Sequence, residues 1–84
     1  MADRPRVTFY TKPGCHLCEE ARAEIAKSGC AGLYAYEEVE ILSDPELKRR
    51  YGYDIPVVVI DGTHAFKHRL TADEFRRAIR SRLK

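Results

Sequence analysis

Nowhere does this 84-residue chain approach the roughly 18 consecutive apolar residues that a bilayer span requires, so a membrane-spanning helix is excluded at the outset. Its charged start, Met1-Ala2-Asp3-Arg4-Pro5-Arg6, lacks the apolar stretch of a secretory signal, and a cytoplasmic protein is expected. A dominant charge is also missing. Fifteen Lys/Arg against thirteen Asp/Glu leave a net charge of +2, which is no global signature of nucleic-acid binding. There is no linker, repeat or low-complexity segment, and the length is about half that of a usual domain. Residues 1–84 therefore read as a single small domain. With 44% apolar and 33% charged residues, the chain is too apolar for a disordered tail.

Cysteine is scarce as well, and the shortage is informative. Three cysteines cannot all pair within one chain, which is not how small secreted domains are stapled. Cys15 and Cys18 stand as C-x-x-C. A bridge there closes so short a loop that it constrains the unfolded chain by only about 2 kcal/mol. It is a poor staple and a convenient chemical switch. In a reducing compartment the spacing points to redox chemistry or to metal.

Arg6–Tyr10, β-branched and aromatic, reads as a strand that Thr11-Lys12-Pro13-Gly14 breaks. From Cys15 or His16 to about Ser28 the pattern is helical, with Leu17, Ala21 and Ile25 as the apolar stripe and Gly29 as the stop. Tyr34–Leu42 reads as a second strand. Asp44 then caps a short helix with Pro45 in its first turn, and Leu47 and Tyr51 share a face before Gly52. Val57–Ile60 is the continuous β-branched run of a strand buried on both faces, and Asp61-Gly62 is a two-residue hairpin signal returning Thr63 to about Arg69. In the last helix Thr71 and Glu74 form a capping box, Leu70 and Phe75 a staple, and Phe75, Ile79 and Leu83 a buried stripe.

The order β-α-β-α-β-β-α implies a parallel pair with a right-handed crossover and a late antiparallel hairpin. The expected fold is an α/β three-layer α/β/α sandwich around a four-stranded mixed sheet. The C-x-x-C falls where the first strand gives way to the first helix, at the carboxyl end of a strand, where open α/β sheets carry their sites.

Phe9 through Cys18 after a first strand, with Ile55-Pro56-Val57 leading into the third, resembles the glutaredoxin family over nearly the whole chain. His16-Leu17 between the cysteines and the stretch from Val59 to Leu70 look most like the small glutaredoxin-like proteins. The resemblance implies a thioredoxin-like fold, thiol–disulfide exchange on protein or glutathione mixed disulfides, no bound cofactor and a monomer. Cys15, at a helix N-terminus, is the expected nucleophile, because unpaired N–H groups and the helix dipole favour a thiolate. Cys18, one turn on beside Glu19 and Glu20, suits the resolving thiol. Lys12 and Tyr10 are expected near glutathione, and Ile55-Pro56 is expected to be a cis peptide whose backbone pairs with the substrate. His16 reads either as a cationic neighbour of the thiolate or as an exposed helix-start residue. Cys30 reads as a small core filler.

Two departures bear on the reductant. Dithiol glutaredoxins typically carry Pro-Tyr between the cysteines, and a Gly-Gly pair after the fourth strand. Here that second region reads Lys67-His68-Arg69-Leu70-Thr71, with side chains expected where a ligand would approach the backbone. Weak glutathione binding follows, with glutathione or a thioredoxin reductase as the reductant. The competing reading is a metal-binding module. Cys15, Cys18, His64 and His68 form a zinc-compatible set, but the pairs lie much further apart than the ~12–15 residues of a zinc finger. An iron–sulfur carrier using Cys15 is the family's other option, although its signature lacks the second cysteine.

Overall fold

The computed structural model describes residues 4–83. Arg6–Thr11 forms β1, His16–Lys27 forms α1 and Ala35–Glu40 forms β2. Pro45–Tyr51 forms α2, Val57–Ile60 β3, Thr63–Lys67 β4 and Ala72–Arg80 α3. The sheet order is β2-β1-β3-β4, with β1 parallel to β2 and antiparallel to β3. Asp61 and Gly62 both take positive φ (52° and 79°), as a type I′ turn demands, and they join β3 to an antiparallel β4. The Asp61 carboxylate also accepts from the Arg6 backbone N–H at 2.9 Å.

Strand alternation divides the sheet into two faces. Val7 and Phe9 of β1 lie opposite Ile60 and Val58 of β3, and this face packs on Ala21 and Ile25 of α1 and on Phe75 and Ile79 of α3. Tyr10 and its partner Val57 point the other way. There α2 lays Tyr51 against Tyr10, with stacked rings 4.5 Å apart, and His64 of β4 follows at 6.5 Å. Helices therefore cover both faces, but unequally: α2 has no buried residue of its own. The architecture is an α/β thioredoxin-like fold around a four-stranded mixed sheet.

Four local expectations are corrected. The second strand stops at Glu40, and Ile41–Ser43 forms a 3₁₀ turn, because Ile41 turns into the core and Asp44 N–H bonds back to the Ile41 carbonyl. The fourth strand stops at Lys67, since His68 takes φ +67° and leaves the ladder. In α1 the buried stripe is Cys18, Ala21 and Ile25, a 3-then-4 spacing, and Leu17 is rotated to its flank. Leu83 lies past the end of α3 and is 37% exposed, so the buried stripe of that helix is Phe75 and Ile79 alone. The capping box forms as expected: Glu74 N–H donates to Thr71 Oγ1, and Thr71 N–H donates to the Glu74 carboxylate.

Candidate functional site

The site grows out of the end of β1. Gly14, at φ +72°, turns the chain so that Cys15 becomes the N-cap of α1 in an extended conformation. An N-cap side chain is placed to accept from the free N–H groups of the first turn. Here the Cys18 backbone N–H donates to Cys15 Sγ at 3.1 Å. One turn on, Cys18 is on the core stripe and 1% exposed, whereas Cys15 is half-buried. The two are joined as a disulfide, their Cα atoms 5.2 Å apart. Cys30 is the free cysteine, buried against the carbonyl of Ser28.

Two loops distant in sequence are tied together beside this pair. The Ile55–Pro56 peptide is cis, as the resemblance implied, and both residues are buried. His68 donates its backbone N–H to the Pro56 carbonyl at 2.8 Å, and its Nε2 lies 3.1 Å from the Tyr53 carbonyl. Arg69 N–H then returns to the Lys67 carbonyl at 2.8 Å, which closes a γ-turn on His68. The loop after β4 thus braces the loop before β3.

Among the sequence-predicted residues, Cys18 and Ile55 belong to the buried core cluster, and Tyr10 and Cys15, partly buried, pack against it. Burial, and then the neighbouring Tyr51, raise the Tyr10 phenol pKa above its ordinary value, so the ring is neutral. Lys12 and His16 are exposed, His16 as the first residue of α1. Lys12 faces α2, not the β4–α3 loop. His64 lies in the stack with Tyr51, and His68 faces Tyr53 and Asp54. Among the described residues, no three His, Cys, Asp or Glu side chains are arranged to hold a metal ion.

Two features escaped the sequence reading. A groove of about 670 Å³ runs between α1 and the β4–α3 connection, lined by Leu17, Glu20, His68 and Arg69. Arg69 reaches across it to Glu20 at 3.8 Å. Leu70 is buried in the core cluster with Phe75 and at the same time forms part of the groove's wall. Leu17, half-buried on the wall of this groove, carried no sequence signal of that place, because its period-four match to Ala21 and Ile25 reads as core.

A thioredoxin-type sheet with a C-x-x-C at the mouth of its first helix defines the class: a thioredoxin-fold protein with a dithiol pair at disulfide distance. A solved point mutant of the thioredoxin of Halobacterium salinarum superposes with a TM-score of 0.72 over 98% of this chain and 77% of that one, and at 15% identity it shows the fold alone. A structural-genomics target from X. campestris superposes with a TM-score of 0.77 at 28% identity, covering 89% of this chain and 96% of that one. A glutaredoxin-like protein of Dictyostelium discoideum is 32% identical over 76 residues, 81% of this chain and 68% of that one. Residues 6–80 match the family model described as "Glutaredoxin-like domain (DUF836)". The chain belongs to that glutaredoxin-like family.

Proposed function

We propose that this protein is a dithiol thiol–disulfide oxidoreductase in which Cys15 attacks and Cys18 resolves. One observation carries the reading: Cys15 Sγ is at the helix N-cap, half-exposed, with an N–H already aimed at it, while Cys18 is buried behind it. The Cys15 thiolate attacks one sulfur of a substrate disulfide and expels the other as a thiolate. Cys18, deprotonated, then attacks Cys15 Sγ, releasing the second substrate thiolate and leaving the Cys15–Cys18 disulfide. Two electrons and two protons from an external dithiol, or from two glutathione molecules, restore the pair.

The remaining residues take supporting roles in this reading. The Ile55 backbone, ahead of Pro56, pairs with the extended substrate, and Tyr10 packs against the core cluster that holds Ile55. Lys12 offers a cation to a substrate or glutathione carboxylate, and His16 modulates the thiolate from the first turn. Glutathione binds weakly, because His68 and Arg69 occupy the turn where dithiol glutaredoxins carry glycines. The substrates are disulfide-bearing proteins, and a reducing compartment such as the cytoplasm suits the chemistry.

The test compares reduction of the oxidised protein by glutathione and by a thioredoxin reductase, with Cys15→Ser and Cys18→Ser alongside. Cys15→Ser abolishes exchange, and Cys18→Ser accumulates a mixed disulfide on Cys15. Exchange that survives in Cys15→Ser sinks the assignment. A low-micromolar dissociation constant for glutathione on Cys18→Ser refutes the weak-binding reading.

A further inference from the structure

A second groove, of about 510 Å³, lies on the α2 side of the molecule and is lined by Lys12, Leu42, Pro45, Lys48, Arg49 and Tyr53. Its apolar part is unusually open to water. Tyr53 is 97% exposed and Leu42 48% exposed. The ring of Tyr53 nevertheless projects from a fixed backbone, because the Tyr53 carbonyl is held by the His68 imidazole. Its charged part is one-sided. Lys12 and Lys48 have no acidic partner among the described residues, and Arg49 pairs with Glu46. The other carboxylate at the start of α2, Asp44, is committed to the backbone N–H groups of Glu46 and Leu47.

The position of this groove gives it meaning. Lys12 is in the turn that leads into Cys15, and Tyr53 is in the loop that leads into Ile55–Pro56. Both walls therefore belong to segments that run directly into the dithiol pair and into the cis-proline loop. We propose that this groove docks an acidic, apolar segment of the protein whose disulfide the dithiol reduces, a segment flanking the reactive cysteine. The inference rests on the dithiol reading above and extends it to the class of partner. Charge complementarity selects acidic side chains for Lys12 and Lys48, and the exposed Tyr53 and Leu42 select apolar ones between them. A single aromatic side chain beside two free cations is too little for a nucleic-acid strand, which needs successive stacking platforms along a basic track.

The experiment uses the full chain and a fluorescent ten-residue peptide bearing Glu, Asp, Leu and Phe, with a counterpart in which Lys replaces the acidic residues. Fluorescence anisotropy at low salt is expected to show the acidic peptide binding at least about tenfold more tightly, with the margin shrinking in ~0.5 M salt. The double variant Lys48→Glu, Tyr53→Ser alters two exposed side chains, and circular dichroism confirms its fold. It is expected to lose that tenfold preference, and to lose the matching preference in kcat/KM when the peptides are presented as disulfides, while reducing dithiodiethanol at the parent rate. Equal binding of the two peptides, an undiminished preference in the variant, or tighter binding of a single-stranded oligonucleotide overturns the docking proposal. Failure of the parent to reduce dithiodiethanol instead overturns the dithiol reading, and the anisotropy comparison still decides the groove.

Discussion

In the reduced Cys18→Ser protein, Cys15 is left alone at the start of α1 with its backbone donor intact, because the N–H at 3.1 Å belongs to the main chain of residue 18. A hydrogen bond to a charged acceptor contributes about 1.5–3 kcal/mol, and the helix N-terminus about 0.3–1 kcal/mol more. Half-burial of the sulfur opposes ionisation and removes part of that gain. A net ~2 kcal/mol in favour of the thiolate raises its population roughly 30-fold at a pH well below the ordinary thiol range. A less basic thiolate is also a weaker nucleophile, and with a Brønsted slope of ~0.4–0.5 this returns about fivefold. Iodoacetamide at pH 6 should therefore alkylate Cys15 about sixfold faster than a thiol in a short unstructured peptide, a net effect set by the 30-fold and fivefold terms. The reciprocal Cys15→Ser protein presents Cys18, which is 1% exposed, and it should react more slowly than the peptide. Rates are read by intact-mass spectrometry from pH 5 to 8. Faster labelling of Cys18 than of Cys15, or a Cys15 rate at pH 6 no higher than the peptide's, refutes the argument from the helix start.

Three further perturbations probe the frame of the site. Glu38 accepts a two-pronged pair from Arg22 (2.7 and 3.2 Å) and a hydrogen bond from the Tyr36 hydroxyl, and the Arg22 hydrogen bond above all holds its pKa below the ordinary value. A lowered folded-state pKa means stability that is present above the unfolded carboxylate range and lost as pH falls through the folded value. Glu38→Gln should cost about 1 kcal/mol at neutral pH and flatten the fall of Tm between pH 5 and 3, whereas identical acid profiles would remove this network from the acid transition. Thr71→Ala breaks the capping box of α3 and should cost about 1 kcal/mol, or ~4–8 °C in Tm; no change would show that the packing of Phe75 and Ile79, with the Ala72–Glu24 and Arg76–Ser28 hydrogen bonds, anchors the helix without its cap. His68→Gly exchanges a non-glycine at φ +67°, strained by about 1–2 kcal/mol, for a glycine that costs ~0.5–1 kcal/mol in chain entropy and one partly exposed hydrogen bond. The two sides nearly cancel. Chemical denaturation should therefore find the variant within about 1 kcal/mol of the parent, and a loss above ~2 kcal/mol would show that the imidazole contact with Tyr53 holds the turn.

Features encoded by neighbouring residues were legible in the sequence. The Asp61-Gly62 turn, the Thr71/Glu74 box, the Asp44 cap with Pro45 behind it, and the Val57–Ile60 strand all form where local chemistry places them. The C-x-x-C spacing likewise put Cys15 and Cys18 one helical turn apart. Which way α1 rolls was not legible, because Leu17 and Cys18 are adjacent and both fit an apolar stripe with Ala21 and Ile25. A rotation of ~100° per residue separates the two choices, and packing against the sheet and α3 selects Cys18. Ile41 leaves its strand for the same reason, drawn into the core at the cost of the ladder. The isomer of Ile55–Pro56, differing intrinsically by only ~0.5–1 kcal/mol, and the turn on His68 are likewise decided from afar. Each lies in a loop whose hydrogen-bond partners, Pro56 and Tyr53 for His68, arrive from another part of the chain. No local propensity carries that information, because it is the pairing of β3 with β4 that brings the partners together.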